Sequence, residues 1–179
     1  MIQVRERQLD DRELLQFVRD VGDAIRPFGG IVIVNERADV ALAAGAGGVH
    51  LKSTGPSAGD VRRIVPGGFV VGRSIHSAAE AVDVQSCGGC DYLVFGTVFP
   101  SPSKPADHPI AGIAALTAAC SAVSLPVIAI GGVTIERARH VAAAGAAGVA
   151  AISLFSNAGD VGATVRALVD ALTLRRTGD

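Results

Sequence analysis

The sequence predicts an α/β chain of the TIM (β/α)8-barrel type, and three observations carry that expectation. Short apolar runs alternate with longer amphipathic stretches along the 179 residues. Most of these apolar runs are continuous, as parallel strands covered on both faces require. Two segments, AGAGGVHL and AGAAGVAAISL, echo one another after helices, and each uses glycine for a tight return into a strand. Repeated strand-helix order with short joints marks the class. A doubly wound open sheet is the rival arrangement.

The first strand is expected over 2–6 (IQVRE). A helix over 10–26 follows, with Asp10 as its N-cap. Strand 30–34 (GIVIV) leads to a helix over 37–44, and strand 48–51 (GVHL) to a helix over 56–65 entered at Pro56. Strand 69–75 (FVVGRSI) precedes a helix over 77–87, where Ser77 and Glu80 have the spacing of a capping box. Strand 91–96 (DYLVFG) opens onto a Ser/Pro/Lys loop, and a helix over 109–123 follows. Strand 126–131 (PVIAIG) leads to a helix over 134–144 entered at Thr134, and strand 148–154 (GVAAISL) to a last helix over 158–175. That makes seven strands where a closed barrel of this class has eight. The first strand-helix unit is therefore expected to be absent or shortened. Length alone points to one domain over 1–179.

Composition narrows the function classes. Hydrophobic residues make up 49% of the chain, enough for a sizeable core, and 22 glycines against 4% aromatics suit tight turns and small packed side chains. Lys and Arg total 16 against 17 Asp and Glu, a net charge of -1, and the basic runs stop at pairs such as Arg62-Arg63. Nucleic acid is not an expected partner. The near-zero charge permits a homo-oligomer. The charged opening MIQVRERQLDDRE is no secretory leader. No apolar run reaches the ~20 residues of a membrane span. Cys87, Cys90 and Cys120 fit a reducing, cytoplasmic setting. Cys87 and Cys90 have C-x-x-C spacing but no second metal pair, so both are expected to be structural.

The most informative stretch is YLVFGTVFPSPSKP, residues 92–105. A buried strand opens there onto a loop that supplies the hydroxyls of Ser101 and Ser103 and the ammonium of Lys104, a combination suited to phosphate. In a barrel, ligand groups gather at the C-terminal strand ends. That rule selects Arg5, Arg7, Asn35, Glu36, His50 through Ser53, Ser74, His76, Gly96, Thr97, Gly131, Gly132 and Ser153. A strand period of two puts Gln3, Arg5 and Arg7 on one face. Of the four histidines, His76 is the best proton relay, because it follows a strand end. His50, His108 and His140 are expected to be packing or surface groups.

In order along the chain, IQVRER, VNERADVALAAGAGGVHL, GRSIHS, DYLVFGTVFPSPSKP, PVIAIGGV and GVAAISLF make the chain resemble the thiamine phosphate synthase family, including its thiazole tautomerase branch. The resemblance implies a (β/α)8 barrel whose members usually begin with one further strand and helix. It implies that Gln3, Arg5, Arg7 and Asn35 approach a pyrimidine pyrophosphate and that Ser74 lies in the site. It implies that Ser101, Ser103 and Lys104 hold phosphate, and that Gly131, Gly132, Ile152 and Ser153 cradle a thiazole phosphate.

Two departures stand out against that pattern. Glu36 replaces an Asp, and Lys52-Ser53-Thr54-Gly55 stands where a second Asp is usual; both Asp residues normally hold Mg2+. GRSIHS and YLVFG resemble the tautomerase branch, which needs an acid/base and no metal, although Thr97 stands where that branch often has histidine. The leading expectation is therefore a tautomerase-like, metal-independent protein that binds a phosphorylated thiazole, with His76 and Thr97 as catalytic residues and no cofactor. The alternatives are a synthase that also binds the pyrimidine and uses Mg2+ at Glu36, and a non-catalytic phosphate-ligand binder.

Overall fold

Strand and helix alternate as the apolar pattern requires: β1 (Ile2–Val4), α1 (Asp11–Ile25), β2 (Val32–Asn35), α2 (Ala38–Ala44), β3 (Gly48–Leu51), α3 (Ala58–Arg62), β4 (Val70–Ile75), α4 (Ala78–Cys87), β5 (Tyr92–Phe95), α5 (Gly112–Ala122), β6 (Val127–Ile130), α6 (Ile135–Ala143), β7 (Gly148–Ala150), α7 (Ser153–Ser156) and α8 (Val161–Thr173). These elements are those of a computed structural model that describes residues 1–101, 104–105 and 107–173. The strands follow chain order, β1 to β7. The registered pairs are all parallel. An order without reversal is that of a TIM-type α/β fold and excludes the doubly wound alternative, whose order turns back at a switch point. Among the described residues no helix is long and apolar enough to cross a membrane.

The chain divides into two compact units, one of Met1–Ser74 with Cys87–Asp91, the other of Ile75–Ser86 with the chain from Tyr92 onward. In the first, Val4, Val32, Val34, Val49, Leu51 and Val71 pack against Leu14 and Val18 of α1, Val40 and Ala41 of α2 and Val61 of α3. Each large aliphatic buried in this way contributes about 1.5–3 kcal/mol. Alternation leaves Gln3, Ile33, Asn35 and His50 on the opposite face, with Asn35 in register with His50. Gly48 must be glycine, because a Cβ there would lie 2.2 Å from the Val70 carbonyl oxygen. Asp10 and Glu13 close a full capping box at the start of α1. The Arg62 guanidinium ties the unit together, donating to the carbonyls of Gly89 (2.9 Å) and Phe69 (2.5 Å) and pairing with Asp91.

In the second unit β5 is buried along its whole length. A satellite core joins Ala138 of α6 to Leu168 and Ala171 of α8, with Val149, Leu154 and Phe155 against it. The Gln85 side chain of α4 accepts from the backbone N–H groups of Ser124 and Leu125, fixing the approach to β6. Ser77 accepts from the Glu80 N–H as the capping spacing predicts, but the Glu80 carboxylate reaches back one residue further, to the His76 N–H.

Two strands end two or more residues before the sequence suggests. β1 stops at Val4, so Arg5 and Arg7 lie beyond it and strand alternation does not govern Arg7. Its partner β2 runs one residue further, to Asn35, before the chain turns at Glu36, where φ is 63°. β7 stops at Ala150, and Ser153 begins α7 instead of ending a strand. Here too the partner turns away, since β6 ends at Ile130 before Gly131 with φ 101°.

Candidate functional site

Each unit gathers polar groups at the C-terminal ends of its strands. In the first they form a hydrogen-bonded chain. Gln3 donates through Nε2 to Asn35 Oδ1 (2.9 Å), Asn35 donates through Nδ2 to Glu36 Oε2 (3.0 Å), and Glu36 Oε1 meets Lys52 Nζ at 2.5 Å. Glu36 is the one described residue other than glycine with positive φ, a conformation that costs a side-chain-bearing residue about 1–2 kcal/mol. Its N–H donates to the His50 carbonyl (2.8 Å), which holds that turn in place. Such strain collects where a side chain must be aimed.

Beside this chain lies His50, only 3% exposed, with Nε2 2.8 Å from Ser74 Oγ. Burial, reinforced by the nearby Arg5 cation and opposed by Glu36, pushes the imidazole pKa down to about 4. The ring is therefore neutral at physiological pH and orients the Ser74 hydroxyl as an uncharged partner. The loop carrying Lys52 is pinned from β4. Arg73 donates to the carbonyls of Ser53 (2.7 Å), Gly55 (3.2 Å) and Pro56 (2.7 Å).

The second unit is prepared mostly by backbone. The loop after β5 lies directly on the Gly131-Gly132 turn: Phe99 N–H donates to the Gly131 carbonyl (3.1 Å). A Cβ on Gly131 would meet Thr97 Cγ2 at 2.5 Å, and one on Gly132 would meet the Pro100 carbonyl oxygen at 2.2 Å. Both glycines have left-handed φ, 101° and 59°. Arg137 locks this contact, donating to the Gly132 carbonyl (2.7 Å) with its guanidinium 4.9 Å above the Phe99 ring. Thr97, Ser101, Lys104 and His108 line an open cleft beside it. His108 Nε2 is 3.1 Å from Thr97 Oγ1. His76 Nδ1 lies 2.7 Å from the Gly96 carbonyl, so that nitrogen carries the hydrogen and Nε2 is left as the basic one.

The structure thus brings together Gln3, Asn35, Glu36 and Lys52, and sets Ser74 beside His50, in the first unit. Arg5 is exposed yet close enough to act on His50, whereas Arg7 is exposed in a bend past the strand. In the second unit Thr97, Ser101 and Lys104 share one cleft, and Gly131 and Gly132 underlie the same loop. Ser103 lies outside the described residues. Ile152 is 72% exposed and Ser153 exposed at the start of a single helical turn, so neither sits on a strand end as expected.

Sequence reasoning missed the pairing of His108 with Thr97, the clamp made by Arg137 and the partnership of His50 with Ser74. Only the last had a signal in the strand pattern: Ser74 lies two residues beyond Gly72, the register partner of His50, and so falls on the same face. Cys87 and Cys90 carry free thiols, and burial raises the pKa of Cys90, which disfavours a reactive thiolate.

The family model described as thiamine monophosphate synthase matches residues 1–155. A thiamine-phosphate synthase of Methanoculleus marisnigri is 44% identical over 170 residues, covering 95% of this chain and 80% of that protein. The thiamine biosynthesis bifunctional protein ThiM/ThiE of Symbiobacterium thermophilum is 41% identical over 170 residues, which is 95% of this chain but 35% of that longer protein. Among solved structures, the thiamine phosphate pyrophosphorylase of Pyrococcus furiosus superposes with a TM-score of 0.85 at 32% identity, covering 96% of this chain and 81% of that one.

Proposed function

The chain belongs to the thiamine monophosphate synthase family, and from that premise we propose that it is a thiamine-phosphate synthase. It would join a hydroxymethylpyrimidine diphosphate to a thiazole phosphate and release pyrophosphate. The observation that carries this reading is the polar chain from Gln3 through Asn35 and Glu36 to Lys52, with Arg5 nearby. A departing diphosphate accumulates negative charge as its bond to carbon breaks, and prearranged donors and cations lower that barrier. Lys52 and Arg5 supply the charge in this scheme, and Gln3 and Asn35 the oriented amides. In the second unit the thiazole phosphate is assigned to the cleft of Ser101 and Lys104 above Gly131 and Gly132.

The test is direct. The two substrates, incubated with the protein, give thiamine phosphate and pyrophosphate in equal amounts. Lys104→Ala raises KM for the thiazole phosphate roughly ten- to a hundredfold. A folded protein that yields no product under any metal or chelator condition rejects the reading.

One observation favours a second activity. His76 presents a basic Nε2, with Nδ1 turned to the Gly96 carbonyl, as a residue moving a proton on a thiazole carboxylate phosphate would. Isomerisation of that compound without condensation, abolished in His76→Gln, would select this tautomerase reading over the synthase.

A further inference from the structure

We infer that Lys52 is the resident cation of the first unit's strand ends. Its ammonium takes the place at Glu36 that a divalent ion would need, and a diphosphate is met there by ammonium and guanidinium without a metal bridge. The inference deepens the synthase reading and takes the identity of the anion from it.

The donor chemistry around Glu36 does not fit Mg2+. That ion needs a near-octahedral shell of oxygens at about 2.0–2.1 Å. Among the described residues no three His, Cys, Asp or Glu side chains come together. Both oxygens of Glu36 are engaged, Oε1 by Lys52 Nζ at 2.5 Å and Oε2 by the Asn35 amide at 3.0 Å. A divalent ion on this carboxylate would have to displace the ammonium or share the oxygen with it, two cations a few ångströms apart.

The same surroundings are well made for an anion. The left-handed turn at Glu36 and the three carbonyl contacts of Arg73 fix both ends of the ion pair before any ligand arrives. Lys52 remains 48% exposed and Glu36 31%, so the ammonium can be reached from solvent. An ammonium has three donors, and one faces Glu36, which leaves two for phosphate oxygens. Arg5 is a further cation within electrostatic reach of His50.

The probe is inorganic pyrophosphate, titrated calorimetrically into the full chain in chelator, alongside Mn2+ binding followed by electron paramagnetic resonance. The wild type binds pyrophosphate in chelator. Lys52→Ala weakens that binding roughly ten- to a hundredfold, and Lys52→Arg restores most of it. The wild type holds no Mn2+ at this place, whereas Lys52→Asp gains a Mn2+ site. Unchanged circular dichroism and melting temperature show that the variants are folded, as expected for a half-exposed side chain. Pyrophosphate binding that requires a divalent ion in the wild type, or that is the same in Lys52→Ala, overturns the inference. Condensation of the two substrates only with a divalent ion also overturns it while leaving the synthase reading standing. Metal-free, Lys52-dependent binding with no condensation does the reverse.

Discussion

The two units prepare their strand ends by different means. In the first, side chains do it: an amide, a second amide, a carboxylate and an ammonium are linked in series at the strand ends. In the second, the backbone does it: Gly131 and Gly132 let the loop after β5 come so close that no side chain could stand between them. The difference predicts different sensitivities. A charge-built site loses ligand affinity when one side chain changes, with little effect on stability. A backbone-built site loses its shape, and the fold suffers with it.

Gly132→Ala is the largest expected breakage. The new methyl would collide with the Pro100 carbonyl, and the residue would be held at φ 59°. The loss is about 4 kcal/mol of stability, read from the midpoint of urea denaturation. Lys52→Ala, by contrast, removes half of a partly exposed ion pair and changes the stability by less than about 1 kcal/mol. Equal losses in the two variants would contradict the distinction.

The pH dependence of stability sharpens the account of the first unit. The pKa of His50 falls from an ordinary 6.5 to about 4 on folding. Between those values the unfolded chain binds the proton and the folded one does not. Stability is therefore complete above about pH 6.5 and declines as the pH drops toward 4, by up to about 3 kcal/mol. Denaturation curves collected from pH 7.5 to 4 measure the decline, and it is reduced in His50→Gln. A decline of the same size in that variant would assign it to other groups. A smaller effect is expected at Arg137. Removing its side chain in Arg137→Ala forfeits the bond to the Gly132 carbonyl and the contact with Phe99, together about 1–2 kcal/mol.

Much of this was legible in the sequence, and the failures have physical causes. Most of the strands were visible because parallel strands buried on both faces are continuous apolar runs, as in the run Tyr92–Phe95. Asp10 and Thr134 announced helix starts because capping is a local interaction. Strand ends were less legible: β7 stops where its neighbour turns away at Gly131, and that information lies about twenty residues off along the chain. The segment 52–55 standing where a carboxylate is usual was apparent, but the seat of Lys52 on Glu36 depends on a left-handed turn that no glycine advertises. His108 looked like a surface residue because a Ser/Pro/Lys loop gives no sign of folding back to place an imidazole on Thr97.

The most direct measurement is a crystal structure of the protein with pyrophosphate, grown in chelator. A diphosphate oxygen within hydrogen-bonding distance of Lys52 Nζ, with the ammonium still beside Glu36 and no metal between them, is the predicted result. Pyrophosphate bound elsewhere, or Lys52 swung away from Glu36 with the anion in place, would contradict the account.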